Sequence, residues 1–107
     1  MSILEINVAE LESALQAGCR VVDVRETDEY ESGHVPGAVH VALASVPEHV
    51  DTIRADGPVY IVCRSGARSM QACVYLAQVG VEAVNVSGGT LEWVATGRGV
   101  VTGSTPT

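Results

Sequence analysis

Val59-Tyr60-Ile61-Val62-Cys63-Arg64-Ser65-Gly66-Ala67-Arg68-Ser69 is the stretch on which the fold turns. Its first four residues are all β-branched or aromatic, which predicts a short buried strand, Val59 to Val62. A polar, glycine-containing loop follows, from Cys63 to Arg68. Ser69 to Val79 then reads as a helix that ends at Gly80, with Met70, Cys73, Val74 and Ala77 on one face at helical spacing. Strand, polar loop and helix in that order form a repeating unit of an α/β domain.

The flanking sequence extends the same alternation. Ile3 to Ile6 is a short apolar opening. Asn7 with Glu10 has the pattern of a capping box, which predicts a helix over Val8 to Ala17 closed by Gly18. Arg20 to Val24 reads as a buried strand, and Thr27 as the cap of a helical turn through Ser32. His34-Val35-Pro36-Gly37-Ala38 is turn chemistry. Val39 to Val41 reads as a small strand. Ser45 and Glu48 repeat the capping-box pattern before a helix toward Arg54, and Asp56-Gly57-Pro58 breaks it. Ala83 to Val86 predicts a last strand, and Gly88-Gly89 precede a last helix, Thr90 to Ala95. Strands alternating with helices predict a mostly parallel sheet.

A chain of 107 residues fits one domain, here 1–101, with a mobile tail over 102–107. Mean hydropathy is +0.25, enough apolar material for one core. No secretory h-region occurs and no apolar run approaches the ~20 residues of a membrane span, so a soluble cytoplasmic protein is expected. The net charge of −7, from 13 acidic and six basic residues, speaks against nucleic acid or an anionic membrane as partner. All six basic residues are arginine, and Arg64 and Arg68 fall within one loop. A local cationic site on an acidic protein suits a small anionic ligand. Three cysteines, Cys19, Cys63 and Cys73, suggest no disulfide framework. His34, His40 and His49 lack zinc-site spacing with them, so neither metal nor cofactor is expected.

The loop from Cys63 to Ser69 is where chemistry is expected. Ligands of open α/β sheets bind beyond the carboxyl ends of strands. The following helix presents unpaired N–H groups and a positive dipole end, and successive loop amides form an anion-binding nest. Gly66 lets the backbone curl. These features favour the Cys63 thiolate over the thiol, and the same cradle suits a terminal persulfide anion. Arg64 and Arg68 suit an incoming oxyanion. Cys19 and Cys73 read instead as small buried hydrophobes.

Three blocks of sequence resemble the rhodanese family, over about Ile6 to Val100. The first is Val22-Asp23-Val24-Arg25 with Glu29-Tyr30, Gly33-His34 and Pro36-Gly37-Ala38. The second is Cys63-Arg64-Ser65-Gly66-Ala67-Arg68-Ser69, and the third is Gly88-Gly89-Thr90-Leu91-Glu92-Trp93. The resemblance implies an α/β domain with a five-stranded, mostly parallel sheet and helices on both faces. It implies a ping-pong sulfur transfer, in which Cys63 takes sulfur from a donor such as thiosulfate, releases sulfite, and holds a persulfide for cyanide, a thiol or a protein acceptor. Phosphatase relatives use Cys-x5-Arg, whereas Cys63 to Arg68 is Cys-x4-Arg, the sulfurtransferase length. Arg64 and Arg68 point to a thiosulfate-like donor rather than mercaptopyruvate.

Within the resemblance, Arg64, Ser65, Gly66, Ala67, Arg68 and Ser69 are expected to bind substrate, with Ser65 donating to the persulfide and Ser69 capping the helix. Asp23 and Arg25 are expected to brace the site, together with Glu29, and His34 to hold its turn. Gly88 and Gly89 would allow close packing, and Trp93 would be core. A monomer is expected. The alternatives are a relay carrier fed by a protein persulfide, a non-enzymatic binding or sensing module, and, disfavoured by loop length, phosphatase or arsenate-reductase chemistry.

Overall fold

The computed structural model describes residues 2–107. Five strands form one sheet: β1 (Glu5–Ile6), β2 (Arg20–Asp23), β3 (Val39–His40), β4 (Val59–Val62) and β5 (Ala83–Val86). Their spatial order is β1-β5-β4-β2-β3, and every ladder is parallel. β4 is therefore central, with Val22 opposite Ile61 on one side and Ile61 opposite Asn85 on the other. A strand buried on both faces reads as an unbroken apolar run, which is why Val59 to Val62 is the clearest strand in the sequence.

Alternation along the strands makes two cores. Val22, Val59, Ile61, Cys63 and Ala83 pack with Val46, Ile53, Ala72, Cys73 and Leu76. Val21, Val62 and Val86 point the other way, against Val8, Leu11, Val35 and Trp93. The first face is covered by α3 (Val50–Ile53) and α4 (Ala67–Gln78), the second by α1 (Val8–Gln16) and α5 (Gly89–Ala95). The expected arrangement of helices on both faces of the sheet is thus observed.

At α1 the Asn7 carboxamide accepts from the Glu10 N–H at 2.8 Å, and the Glu10 carboxylate accepts from the Asn7 N–H at 3.0 Å. The other caps differ from expectation. In α2 (Thr27–Ser32) the N-cap is Glu26, not Thr27. The reason is Glu29, whose carboxylate reaches back to the Glu26 N–H at 2.9 Å. The Ser45/Glu48 capping box does not form. A 3₁₀ segment over Leu43–His49 starts earlier, because the Ser45 N–H donates to Ala42 O at 2.8 Å and places Ser45 inside the turn.

Helix α4 starts two residues before the predicted Ser69, and its buried face is Ser69, Ala72, Cys73 and Leu76. Val74, expected on that face, is 45% exposed. Ala72, Cys73 and Leu76 carry the observed stripe into the core, and Ser69 at its start meets the Cys63 sulfur, a partner that periodicity does not encode.

The last residues, for which the sequence predicts mobility, contact α2 and the turn that follows it. Gly103 N–H donates to Glu31 O at 2.8 Å and Gly37 N–H to Pro106 O at 2.9 Å. Among the described residues no helix is long and apolar enough to cross a membrane.

Candidate active site

Cys63 is the first residue beyond the carboxyl end of β4, and only 1% of its surface is exposed. Its Sγ accepts from the Gly66 N–H at 3.1 Å and from the Ser69 hydroxyl at 3.3 Å. The first bond depends on Gly66, the N-cap of α4, whose φ of +115° is closed to residues with a Cβ at ordinary cost. Ser69, expected as the cap, instead lies fully buried in the first turn and spends its hydroxyl on the sulfur. Ser65 and Ala67 are exposed; Ser65 bears on the sulfur through its backbone N–H. Burial pushes the Cys63 thiol up, but the Ser69 hydroxyl and the N–H groups of Ser69, Gly66 and Ser65 together hold it below its ordinary value. The donors favour the anion because they are already oriented at the helix start.

The loop is held from behind by α5. The Thr90 N–H donates to Cys63 O at 2.9 Å and the Leu91 N–H to Arg64 O at 3.0 Å. This joins the Gly88-Gly89 block of the sequence to the cysteine loop. Trp93 is buried beneath, with its indole N–H on Gly99 O at 2.8 Å.

Two ion pairs flank the loop. Asp23 and Arg25 form a buried pair at 2.9 Å, and Arg25 also donates to Gly33 O at 2.8 Å, tying the end of β2 to the end of α2. The second pair changes an expectation. Arg68 does not face the ligand as a free cation; its guanidinium forks onto Glu29 at 2.7 and 2.9 Å. Glu29 therefore belongs to Arg68 and to the α2 cap, not to the Asp23–Arg25 brace. Among the described residues Arg64 makes no ion pair and is exposed, so it is the loop's available cation.

The Arg68 hydrogen bonds, with the Glu26 N–H, lower the Glu29 carboxyl from 4.5 to about 2. A carboxyl depressed on folding stabilises the native state fully above its unfolded value and loses that contribution as pH falls through its folded value. Glu29→Gln is therefore expected to destabilise the protein at pH 6, with the difference from wild type shrinking as the pH falls from 4.5 toward 2. Denaturant melts of both proteins at several pH values check this.

His34 is fully buried, and its ring stacks on Tyr30 at 3.7 Å between centroids. Nδ1 meets Tyr30 O at 2.7 Å and Nε2 meets Thr105 O at 2.9 Å, so neither nitrogen is left for a reacting group. Cys73 lies in the core; burial first, then the charges of Glu5 and Cys63, push its thiol up to about 12. Burial also raises Cys19. All three cysteines are free thiols, and no cluster of candidate metal ligands occurs among the described residues.

A groove of about 440 Å³ runs beside the loop, lined by Arg25, Glu29, Arg64, Thr90, Leu91 and Val94, among others. A larger concavity, about 680 Å³, lies at the opposite, amino-terminal edge of β2 around Gly18, Arg20 and Pro58. The smaller one matters here because it adjoins Arg64. Thr90 Oγ1 is buried on its wall without a hydrogen-bond partner. Sequence reasoning missed Thr90 as a site residue, together with Asn85, whose side chain donates to Gly66 O at 3.2 Å. A polar residue inside an otherwise apolar strand, as in Ala83-Val84-Asn85-Val86, is the signal that marks Asn85.

The sequence model described as the Rhodanese-like domain matches residues 7–96. The Bacillus subtilis protein named "Putative sulfurtransferase YtwF" is 40% identical over 95 residues, covering 87% of this chain and 92% of its own. The B. subtilis "Putative sulfur carrier protein YrkF" is 34% identical over 95 residues, covering 86% of this chain, which spans only 51% of that relative. Among solved structures, a rhodanese-related protein from Thermoplasma volcanium superposes with a TM-score of 0.86 at 30% identity, covering 94% of this chain and 99% of its own.

Proposed function

This chain belongs to the rhodanese-like domain family of sulfurtransferases and sulfur carriers, and from that premise we propose that it moves sulfane sulfur from a thiosulfate-like donor to a thiophilic acceptor through a persulfide on Cys63. The observation that carries the reading is the Cys63 sulfur at the centre of the sheet's carboxyl edge, facing the Gly66 N–H and the Ser69 hydroxyl, with its thiol held low.

In the first half-reaction the Cys63 thiolate attacks the outer sulfur of thiosulfate. A Cys63–sulfur bond forms as the sulfur–sulfur bond of the donor breaks, and sulfite leaves with the bonding pair. The terminal sulfur is now the anion, and the loop amides that held the thiolate stabilise it. In the second half-reaction an acceptor such as cyanide or a thiolate attacks that terminal sulfur, and the thiolate of Cys63 leaves. No general base is required, consistent with a His34 whose ring nitrogens both meet carbonyls. Arg64 lines the groove beside the loop and is exposed, and it is the group assigned to the donor's sulfonate oxygens. Arg68 acts at one remove: paired with Glu29, it fixes the first turn of α4 that supplies Ser69.

A second reading, a relay carrier loaded by another protein's persulfide, is favoured by the sulfur-carrier relative and by the exposed apolar side chains beside the loop. Leu91, Val94 and Val100, which border the Arg64 groove, are 51%, 53% and 40% exposed. The two readings are separated by loading. Wild-type protein is offered thiosulfate or a persulfidated cysteine desulfurase, and the rate of adding one sulfur atom is followed by intact mass. Faster loading by thiosulfate, with matching sulfite release, supports the first reading. Loading by the desulfurase alone replaces it with the second.

A further inference from the structure

We infer that Asn85 is a positioning residue for Cys63: its carboxamide, aimed by Glu5, fixes the Gly66 peptide units that present an N–H to the sulfur. The inference rests on Cys63 being the reactive group, and it extends that reading to a residue on the neighbouring strand, outside the three sequence blocks.

Asn85 lies in β5, between β4 and β1, and is 1% exposed. Its Nδ2 donates to Glu5 Oε2 at 2.8 Å and to Gly66 O at 3.2 Å. Gly66 N–H in turn donates to Cys63 Sγ at 3.1 Å. The orientation of the carboxamide is forced, because a flipped amide would set Oδ1 against two acceptors, the Glu5 carboxylate and the Gly66 carbonyl. The consequence is that Oδ1 is left buried with no partner. An orphaned buried acceptor is a cost that an apolar residue at this position would not incur. Residues 83, 84 and 86 of the same strand are apolar and buried. A polar side chain retained there at a cost marks a site where geometry is held for chemistry.

The effect on Cys63 follows from the backbone. Gly66 is the hinge of the loop, at φ +115°, and as glycine it has wide conformational freedom. The bond from Asn85 to its carbonyl restricts that freedom, and so fixes where its N–H points. A second bond to the same carbonyl, from Met70 N–H at 3.2 Å, belongs to the first turn of α4 and does not reach back to the strand. Without the carboxamide the loop keeps its helix but loses its tie to the sheet.

The test uses Asn85→Leu and Glu5→Ala in the full chain, reading the pH profile of Cys63 alkylation by iodoacetamide together with kcat and KM for sulfur transfer. Asn85→Leu is expected to stay folded, to move the Cys63 profile upward by about one pH unit, and so to slow alkylation near neutral pH about tenfold. The fall should appear in kcat more than in KM. Glu5→Ala removes an exposed side chain, so folding is not at risk. Loss of a nearby negative charge would move the profile down by simple electrostatics, whereas loss of the clamp that aims Asn85 moves it up, by a smaller amount than Asn85→Leu. An upward shift in both supports the positioning role. A folded Asn85→Leu with an unchanged profile overturns it, as does a Glu5→Ala profile that is unchanged or shifted down. Should Asn85→Leu not fold, Glu5→Ala decides alone. A wild type that alkylates normally yet accepts no sulfur from any donor sinks the sulfurtransferase reading and leaves the positioning result standing.

Discussion

Cys63→Ser is expected to fold normally, to acquire no sulfur from thiosulfate, and to lose turnover by at least about a thousandfold, the scale set by removal of a covalent nucleophile. The substitution exchanges one atom for a smaller one in a site where the Gly66 N–H and the Ser69 hydroxyl can donate to either. The fold is therefore not at issue. The chemistry is, because a serine hydroxyl is not ionised by a cradle of this strength, and an alkoxide does not exchange sulfur as a thiolate does. Sulfite release, intact mass and a thermal melt on the same preparation check all three parts. The result also depends on the other two cysteines staying silent. Cys73 is fully buried with its thiol pushed up to about 12, so it holds almost no thiolate near neutral pH. Cys73→Ala is accordingly expected to retain the sulfur adduct. An adduct that survives Cys63→Ser and disappears with Cys73→Ala would move the chemistry to the wrong residue and end the proposal.

How far the sequence carries such an argument differs from element to element. Val59 to Val62 and Ala83 to Val86 are legible because strands buried on both faces have only apolar choices, broken at one place, Asn85. The Asn7–Glu10 cap is legible because both halves of it are local. Ser45 and Glu48 carry the same pattern and fail, since the outcome there is decided by a turn that begins at Ala42. The position of Cys63, between the central strand and the start of a helix, is legible because both elements are marked locally. The partners of Arg68 and Ser69 are not. Glu29 is 39 residues from Arg68, and the pairing exists only because α2 and the cysteine loop meet at one end of the sheet. Ser69 lies six residues from Cys63, at a spacing that becomes a contact only once Gly66 turns the chain back on itself. Pairings of this kind are products of topology, and a one-dimensional pattern reports residue types without the partners they acquire.

Gly89 shows the same point with the largest structural consequence. The resemblance implies close packing at Gly89, and the packing is against the backbone of the cysteine loop. A Cβ placed on Gly89 would lie 2.5 Å from Cys63 O, 2.6 Å from Arg64 O and 2.7 Å from Arg64 C. All of these are backbone atoms, which cannot swing aside as a side chain can. The same two carbonyls accept the N–H groups of Thr90 and Leu91, so the loop is drawn onto α5 at the one residue where nothing projects. Gly89 also has φ +61°, which costs an L-residue about 1–2 kcal/mol before any clash. Gly89→Ala must therefore either break those two hydrogen bonds or push the loop outward. Adding about 1 kcal/mol for each neutral bond lost, the expected destabilisation is about 3–4 kcal/mol. At this chain length that lowers the melting temperature by more than about 10 °C. The loss should not be confined to stability. Moving Cys63 O moves Cys63 itself away from Gly66 and Ser69, so the folded fraction at low temperature is expected to transfer sulfur at least about tenfold more slowly and to alkylate with an upward-shifted pH profile, because a displaced sulfur keeps its burial and loses its donors. Thermal melts, with alkylation and turnover measured well below the transition, separate the two effects. A Gly89→Ala protein that melts with the wild type and reacts at its rate would mean that the loop does not rest on α5 at all, and the account of how Cys63 is held would have to be rebuilt.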